Sequence, residues 1–233
     1  MAGLLPLLIA AASWGCRTPR YDPFKVAAGA LRGRVKTIAL WPLGAPGVQP
    51  DEDRLRAVVE PLLIQRLTKG GFQVVPMAVV EAYRARAAED LGDFYDRRTG
   101  KANSETWDTA RHEIFRRLAV EQRVDAVLYT WVEVVDVALA GTPMPYCGSS
   151  GTFYWSGERP PVRATLARAT CLDVKLVDRE ERELYSIRAG IEGVETYANQ
   201  TRAVRPASDR FRDTARIDDA IELIVGPLAD RDR

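Results

Sequence analysis

The sequence predicts a single α/β domain: a mixed, mostly five-stranded sheet with helices packed mainly on one of its faces. Three observations predict it. The β-rich run Val35-Lys36-Thr37-Ile38-Ala39-Leu40-Trp41 is nearly all apolar and is closed by Pro42, as expected of a strand buried on both faces. A longer run, residues 126–139, is dense in Val, with Leu128, Tyr129 and Trp131 among them. Around these runs lie segments whose apolar residues recur with the helical period, the cleanest being Ile217, Ala220, Ile221, Ile224, Val225 and Leu228 near the end. Strands alternating with helices and followed by a hairpin make a layered α/β architecture.

Taken in order, Gly44, Pro46, Gly47 and Pro50 form the loop after the first strand. Asp51 is placed to cap a helix with Leu55, Val58, Val59, Leu62, Leu63 and Leu67 on its apolar face. Pro61 is expected to kink that helix or mark a new start, and Gly70-Gly71 end it. Residues 72–75 read as a short strand stopped by Pro76, and 79–88 as a second helix. Residues 91–104 are polar, with a turn at Arg98-Thr99-Gly100-Lys101. A third helix follows, with Trp107, Ala110, Ile114, Phe115 and Leu118 on one face. Asp125 introduces the 126–139 run, read as the longest strand and as central in the sheet. Leu172, Val174 and Leu176 alternate with Asp173 and Lys175 in a half-exposed strand. A charged turn at 178–182 leads to an antiparallel partner over 183–192, and the final helix completes the order β-α-β-α-α-β-β-β-α.

A chain of 233 residues fits one domain with room for a short leader and a long loop. Hydrophobic residues make up 46% and charged residues 28%, the balance of a globular protein. The net charge of +1, from 33 basic and 32 acidic residues interspersed along the chain, gives no clustered basic face for nucleic acid. The N-terminus is different in character. Met1 to Gly15 carries no charge, and Leu4 to Ala12 is apolar. That run falls well short of the roughly 20 residues that span a bilayer, but it matches the core of a secretory signal. The small residue Gly15 directly before Cys16 matches the lipid-attachment site of a lipoprotein. Residues 1–15 are therefore read as a signal peptide, 16–34 as a polar tether containing Pro19 and Pro23, and 35–233 as the domain. Ser13 and Trp14 depart from the usual residues, and no Lys or Arg precedes the run. Cleavage after Ala12, leaving a periplasmic protein with Cys16 intact, and an apolar first helix that is never removed fit the same residues.

Catalytic chemistry finds little to work with. The only histidine, His112, lies one turn after Asp108 and reads as a surface residue paired at i,i+4. There is no Gly-x-Ser-x-Gly elbow, and Gly148-Ser149-Ser150-Gly151 reads as a flexible turn. One histidine and three scattered cysteines do not make a zinc site, and Thr99-Gly100-Lys101 lacks the rest of a phosphate loop. No enzyme activity, metal or cofactor is expected. If Cys16 carries lipid, Cys147 and Cys171 remain. In an oxidising compartment the pair can form a disulfide, contributing on the order of 3 kcal/mol in the chain-entropy model; alternatively Cys171 is a small core residue. The loop over 141–162 holds four glycines, four prolines and the aromatics Tyr146, Phe153, Tyr154 and Trp155. Those side chains either contact a protein partner or a sugar ring or fold back over the sheet as a lid.

Four stretches, "VKTIALWPL", "LTKGGFQVVPMAVVEAY", "VDAVLYTWV" and "CLDVKLVDREERELY", together with Tyr21-Asp22 in the tether, carry a resemblance. The chain resembles bacterial lipoproteins with a curli-secretion-like or TolB-N-terminal-like α/β domain, and through them the lipoproteins that activate cell-wall synthases. The similarity covers most of residues 35–194. It implies a periplasmic location, anchoring to the inner leaflet of the outer membrane through the residue matching Cys16, and work by contact with envelope proteins or with further copies of the chain. It supplies no catalytic residue. The insertions at 91–104 and 141–162 and the irregular signal depart from that family.

Overall fold

The computed structural model of the chain describes residues 22–45, 51–92, 94, 103–138, 144–147, 149–151, 164–198 and 201–230. Its centre is β1 (Thr37–Leu40), which is buried at every residue and runs parallel to both neighbours, β2 (Gln73–Val75) and β3 (Ala126–Ala138). The chain leaves β1 through α2 (Glu52–Lys69) to reach β2. It then returns past β1 through α3 (Met77–Leu91) and α4 (Ser104–Glu121) to reach β3. Parallel crossovers are right-handed, so two crossovers that run in opposite directions put their helices on opposite faces. The burial agrees. Ile38 and Leu40 of β1 pack with Leu55, Val59, Leu63 and Leu67 of α2, whereas Ala39 packs with Val80 of α3 and Ile114 of α4.

The rest of the sheet is antiparallel. β3 pairs with β6 (Ala164–Asp178), β6 with β7 (Glu183–Ala198), and β7 with β8 (Thr201–Val204), giving the order β2-β1-β3-β6-β7-β8. α1 (Ala28–Arg34) and α5 (Thr214–Ala229) join α2. Among the described residues, three of the five helices thus share one face of a mixed sheet in a single α/β domain. α5 presents Ile217, Ile221, Ile224 and Leu228 to that core, and the buried Tyr185 hydroxyl donates to the Ile224 carbonyl. α2 and α5 meet closely at their C-terminal ends. A Cβ on Gly70 would lie 2.8 Å from the Ala229 Cα, so only glycine fits there without moving α5.

Several elements differ from expectation. The sheet has six strands rather than five, because β7 continues to Ala198 and is joined by β8. The extension is masked in the sequence by acidic residues that the fold buries. Glu195 is 3% exposed and paired with Arg202 of β8, and Glu192 accepts a hydrogen bond from the Phe211 N–H at 3.1 Å. β7, at 16 residues, is longer than β3 at 13. α2 continues unbroken through Pro61, whose side lies exposed. The stretch read as a tether is bound from Pro23 onward. Lys25 N–H donates to the Leu184 carbonyl at 3.0 Å and Ser186 N–H to the Pro23 carbonyl at 2.9 Å. Phe24 meets Tyr185 edge-on at 5.0 Å, and α1 buries Leu31. The supposed loop over 141–162 contains a hairpin, β4 (Met144–Tyr146) paired with β5 (Ser149–Gly151). Its turn passes through Cys147 at φ 48, so Ser149 to Gly151 are strand residues rather than a flexible turn.

On the outer side of α4, Glu113 accepts from Arg116 at 2.7 Å and from Arg117 at 2.6 Å, and Arg117 continues to Asp90 of α3 at 2.9 Å. Hydrogen bonds from Arg116 and then Arg117 hold the Glu113 carboxyl down at about 2. A depressed carboxylate stabilises the fold above its ordinary range and loses that contribution as the pH falls toward its folded value. Glu113→Gln should therefore lower stability by about 0.5–1 kcal/mol at pH 6, the scale of a surface ion-pair network. The gap from wild type should shrink progressively as the pH falls toward 2 in chemical denaturation curves.

Candidate functional site

The two faces of the sheet are finished differently. On the face of α1, α2 and α5 the core is apolar across β1, β3, β6 and β7. The opposite face is divided into three zones along β3 and β6. Near the start of β3, α3 and α4 cover Val127 and Val177, with Tyr129, Trp41, Trp107 and Phe94 in successive ring contact. The Arg84 guanidinium lies 5.7 Å from the Trp41 ring centre and 5.5 Å from that of Trp107. Burial there pushes the Tyr129 phenol up to about 12. At the far end, Val135, Val137, Ala169 and Cys171 form a small cluster with Cys147. A disulfide joins Cys147 to Cys171 with their Cα atoms 6.2 Å apart, so the β4–β5 hairpin is tied to the middle strand. Gly190 stands opposite Cys171 and Gly193 opposite Ala169, and β5 lies against β7.

Between the two apolar zones lies a polar one. Directly opposed residues of neighbouring strands share a face. The register therefore lines up Trp131 of β3, Asp173 of β6 and Arg188 of β7 in one row, with Tyr129, Lys175 and Ser186 in a second. Arg188 Nε donates to Asp173 Oδ1 at 2.6 Å, and its Nη2 reaches over to Glu133. Lys175 Nζ pairs with Glu183 at 3.0 Å, and Ser186 Oγ donates to the same carboxylate at 2.7 Å. Trp131, Asp173, Lys175, Glu183, Ser186 and Arg188 line a cleft of about 890 Å³ that also touches Cys147 at the hairpin end and Leu223 of α5.

Asp173 is the unusual member. Its side chain is buried, and Oδ2 has no hydrogen-bond partner among the described residues. Desolvation raises its carboxyl above the ordinary range, against the pull of the Arg188 hydrogen bond and charge. Glu183, by contrast, is held below its ordinary range by the Ser186 hydroxyl and by Lys175. A carboxylate that is desolvated and only half satisfied sits beside a half-buried indole and an exposed guanidinium. The cleft thus combines an acceptor, donors and an aromatic wall.

Of the residues singled out in the sequence, Cys147 and Cys171 lie at the edge of this cleft. Tyr146 is the last residue of β4. Cys16, Phe153, Tyr154 and Trp155 lie outside the described residues. His112 is exposed on α4, but its partners are the Asp108 carbonyl, 2.7 Å from Nδ1, and the Glu181 carboxylate, 3.1 Å from Nε2, rather than the Asp108 side chain. Trp131, Asp173 and Arg188 were not singled out. Alternating charge in a strand signals a face turned away from the core, and nothing in that pattern distinguishes bulk water from a cleft. Among the described residues, no three His, Cys, Asp or Glu side chains gather as a metal site, and no helix is long and apolar enough to cross a membrane.

No family model and no curated protein matches the chain. Among solved structures, the chain is similar to the PelC dodecamer from Paraburkholderia phytofirmans, at 13% identity over 85% of this chain and 90% of that one, with a TM-score of 0.36. It is also similar to a neuraminyllactose-binding hemagglutinin homolog from Helicobacter pylori, at 9% identity over 83% and 81%, with a TM-score of 0.37. Similarities of this size carry no functional inference.

Removing Arg188 should expose how the row is balanced. Its hydrogen bond is the main influence lowering the Asp173 carboxyl, so without it the folded-state value rises further. A raised carboxyl favours the fold while protonated and loses that advantage as the pH climbs through its folded value. Arg188→Met should therefore cost about 1–3 kcal/mol at pH 7, the scale for a hydrogen bond to a charged group. The loss should be clearly smaller at pH 4, measured by urea denaturation at both values.

Proposed function

We propose that the chain is an exported envelope protein, anchored by lipid on Cys16 to the inner leaflet of the outer membrane, that works by non-covalent contact rather than by catalysis. The observation that carries this reading is the Cys147–Cys171 disulfide. It bonds a half-exposed cysteine of a surface hairpin to a buried cysteine of the central sheet, and such bonds persist in oxidising compartments such as the periplasm and not in the reducing cytosol. The uncharged leader ending at Gly15-Cys16 and the resemblance to periplasmic lipoproteins support the same address. The partners are envelope proteins, and self-association belongs to the same reading. The stiffly built sheet supports contact chemistry, since both of its faces are fixed by covalent or helical cover around a preformed polar cleft.

Metabolic labelling with radioactive palmitate, on the full chain and on Cys16→Ala, tests the anchor. Label should run with the mature protein and be lost in the variant; an unlabelled wild-type protein removes the lipid premise. Thiol titration of the same purified protein under denaturing conditions should find no free cysteine before reduction and two after it. Free Cys147 and Cys171 in the exported protein would overturn the compartment argument. Capture of membrane proteins by wild type, compared with Cys16→Ala, then separates contact that depends on anchoring from contact made by the domain itself.

A further inference from the structure

We infer that the polar cleft on the second face of the sheet is a saccharide-binding site, with Trp131 as the stacking wall and Asp173 and Arg188 as the hydroxyl-recognising pair. The inference rests on the proposed export, which would place the cleft among the glycans of the envelope. It differs from a site on the 146–155 aromatics, because the residues that carry it, Trp131, Asp173 and Arg188, belong to the strands β3, β6 and β7.

The ligand class follows from the chemistry of the row. Asp173 is 7% exposed and leaves Oδ2 without a partner among the described residues. A buried acceptor left unmade costs on the order of 1–3 kcal/mol, and a hydroxyl entering the cleft would satisfy it. Arg188 uses Nε on Asp173 and Nη2 on Glu133, so both N–H groups of Nη1 remain available among the described residues. Lys175 holds Glu183 with one contact and keeps donors to spare. A hydroxyl is both donor and acceptor, and a sugar presents several in sequence. It therefore matches a surface in which acceptors and donors alternate, and does not match one of a single sign.

Charge argues in the same direction. Asp173 and Glu183 balance Lys175 and Arg188 in the cleft, and Arg188 is further held by Glu133, so no net positive charge is left for a phosphate or carboxylate ligand. The two cations stand exposed at its surface, which disfavours an amine. What remains is a neutral, polyhydroxylated ligand with an apolar face for the indole. Trp131 supplies that wall. It stands opposite Asp173 in the register, half-buried, and its backbone is bridged in parallel to Gly44 on the other side. The row from Trp131 to Arg188 spans two strand intervals, about 10 Å. The cleft volume of about 890 Å³ lies within the range of small-molecule sites.

The test is titration of the full-length protein, by calorimetry and tryptophan fluorescence, with chitotriose, cellotriose, maltotriose and mannotriose, and with spermidine as a cationic comparator. At least one trisaccharide should bind and shift the fluorescence. Trp131→Phe should abolish the fluorescence response, and both Trp131→Phe and Asp173→Asn should weaken binding at least tenfold while the variants keep the wild-type circular dichroism spectrum. Should Trp131→Phe fail to fold, Arg188→Gln serves in its place with the same expected tenfold loss. The inference is overturned if all four trisaccharides fail to bind, if the variants bind as wild type does, or if spermidine binds in their place. Failure with palmitate labelling intact removes the saccharide alone; failure of the labelling removes the exported setting and leaves the titration result standing.

Discussion

The ladder between β3 and β6 is the constraint on which the rest of the structure depends. Every residue of β3, from Ala126 to Ala138, has a partner on β6, without a register shift. The period of a strand is two, so a slip of one residue would turn Leu172, Val174 and Leu176 out of the core and carry Asp173 and Lys175 into it. The irregularities are placed elsewhere, between β6 and β7, where register shifts accompany the buried Glu192 and Glu195. An uninterrupted ladder on one side of β6 and an adjustable one on the other let the same strand serve as a rigid reference for the helical core and as a floor that curves under the hairpin.

That rigidity explains how one face of the sheet supports three different environments within the length of a strand. The aromatic cluster beneath α3 and α4 and the Val135–Cys171 patch beneath the hairpin are both apolar. Each anchors a cover, one by helix packing and the other by a covalent bond. The polar row between them has neither. Its charges are held by one another, with Arg188 bridging two carboxylates across β6, and the residual mismatch falls on a single oxygen of Asp173. Among the described residues of the row, the unsatisfied polarity is thus concentrated at one atom rather than spread over a solvated surface.

Much of the fold was legible from periodicity. β1, α4 and α5 follow from apolar spacing because each buries one well-defined stripe or, for β1, both faces. β8 and the last third of β7 were not legible. Their sequence carries Glu195 and Arg202, which look like surface residues until the sheet pairs them. α1 was lost for a related reason: it buries only Leu31, and a helix with one buried residue has no period to detect. The cysteine pair was legible by counting, since only two remain once Cys16 is assigned. The cleft was not, because its members are spread over more than fifty positions, from Trp131 to Arg188, and come together through register alone.

The strand-like binding of Pro23 to Lys25 against β7 sets a leash length. If lipid sits on Cys16, seven residue steps separate it from the first fixed point of the domain at Pro23. At full extension they reach about 25 Å, less than the width of many folded domains. The protein would then patrol only a thin layer above the bilayer, with the β7 edge that receives Phe24 turned toward the lipid. Anything it grips would have to come down to the membrane to be held.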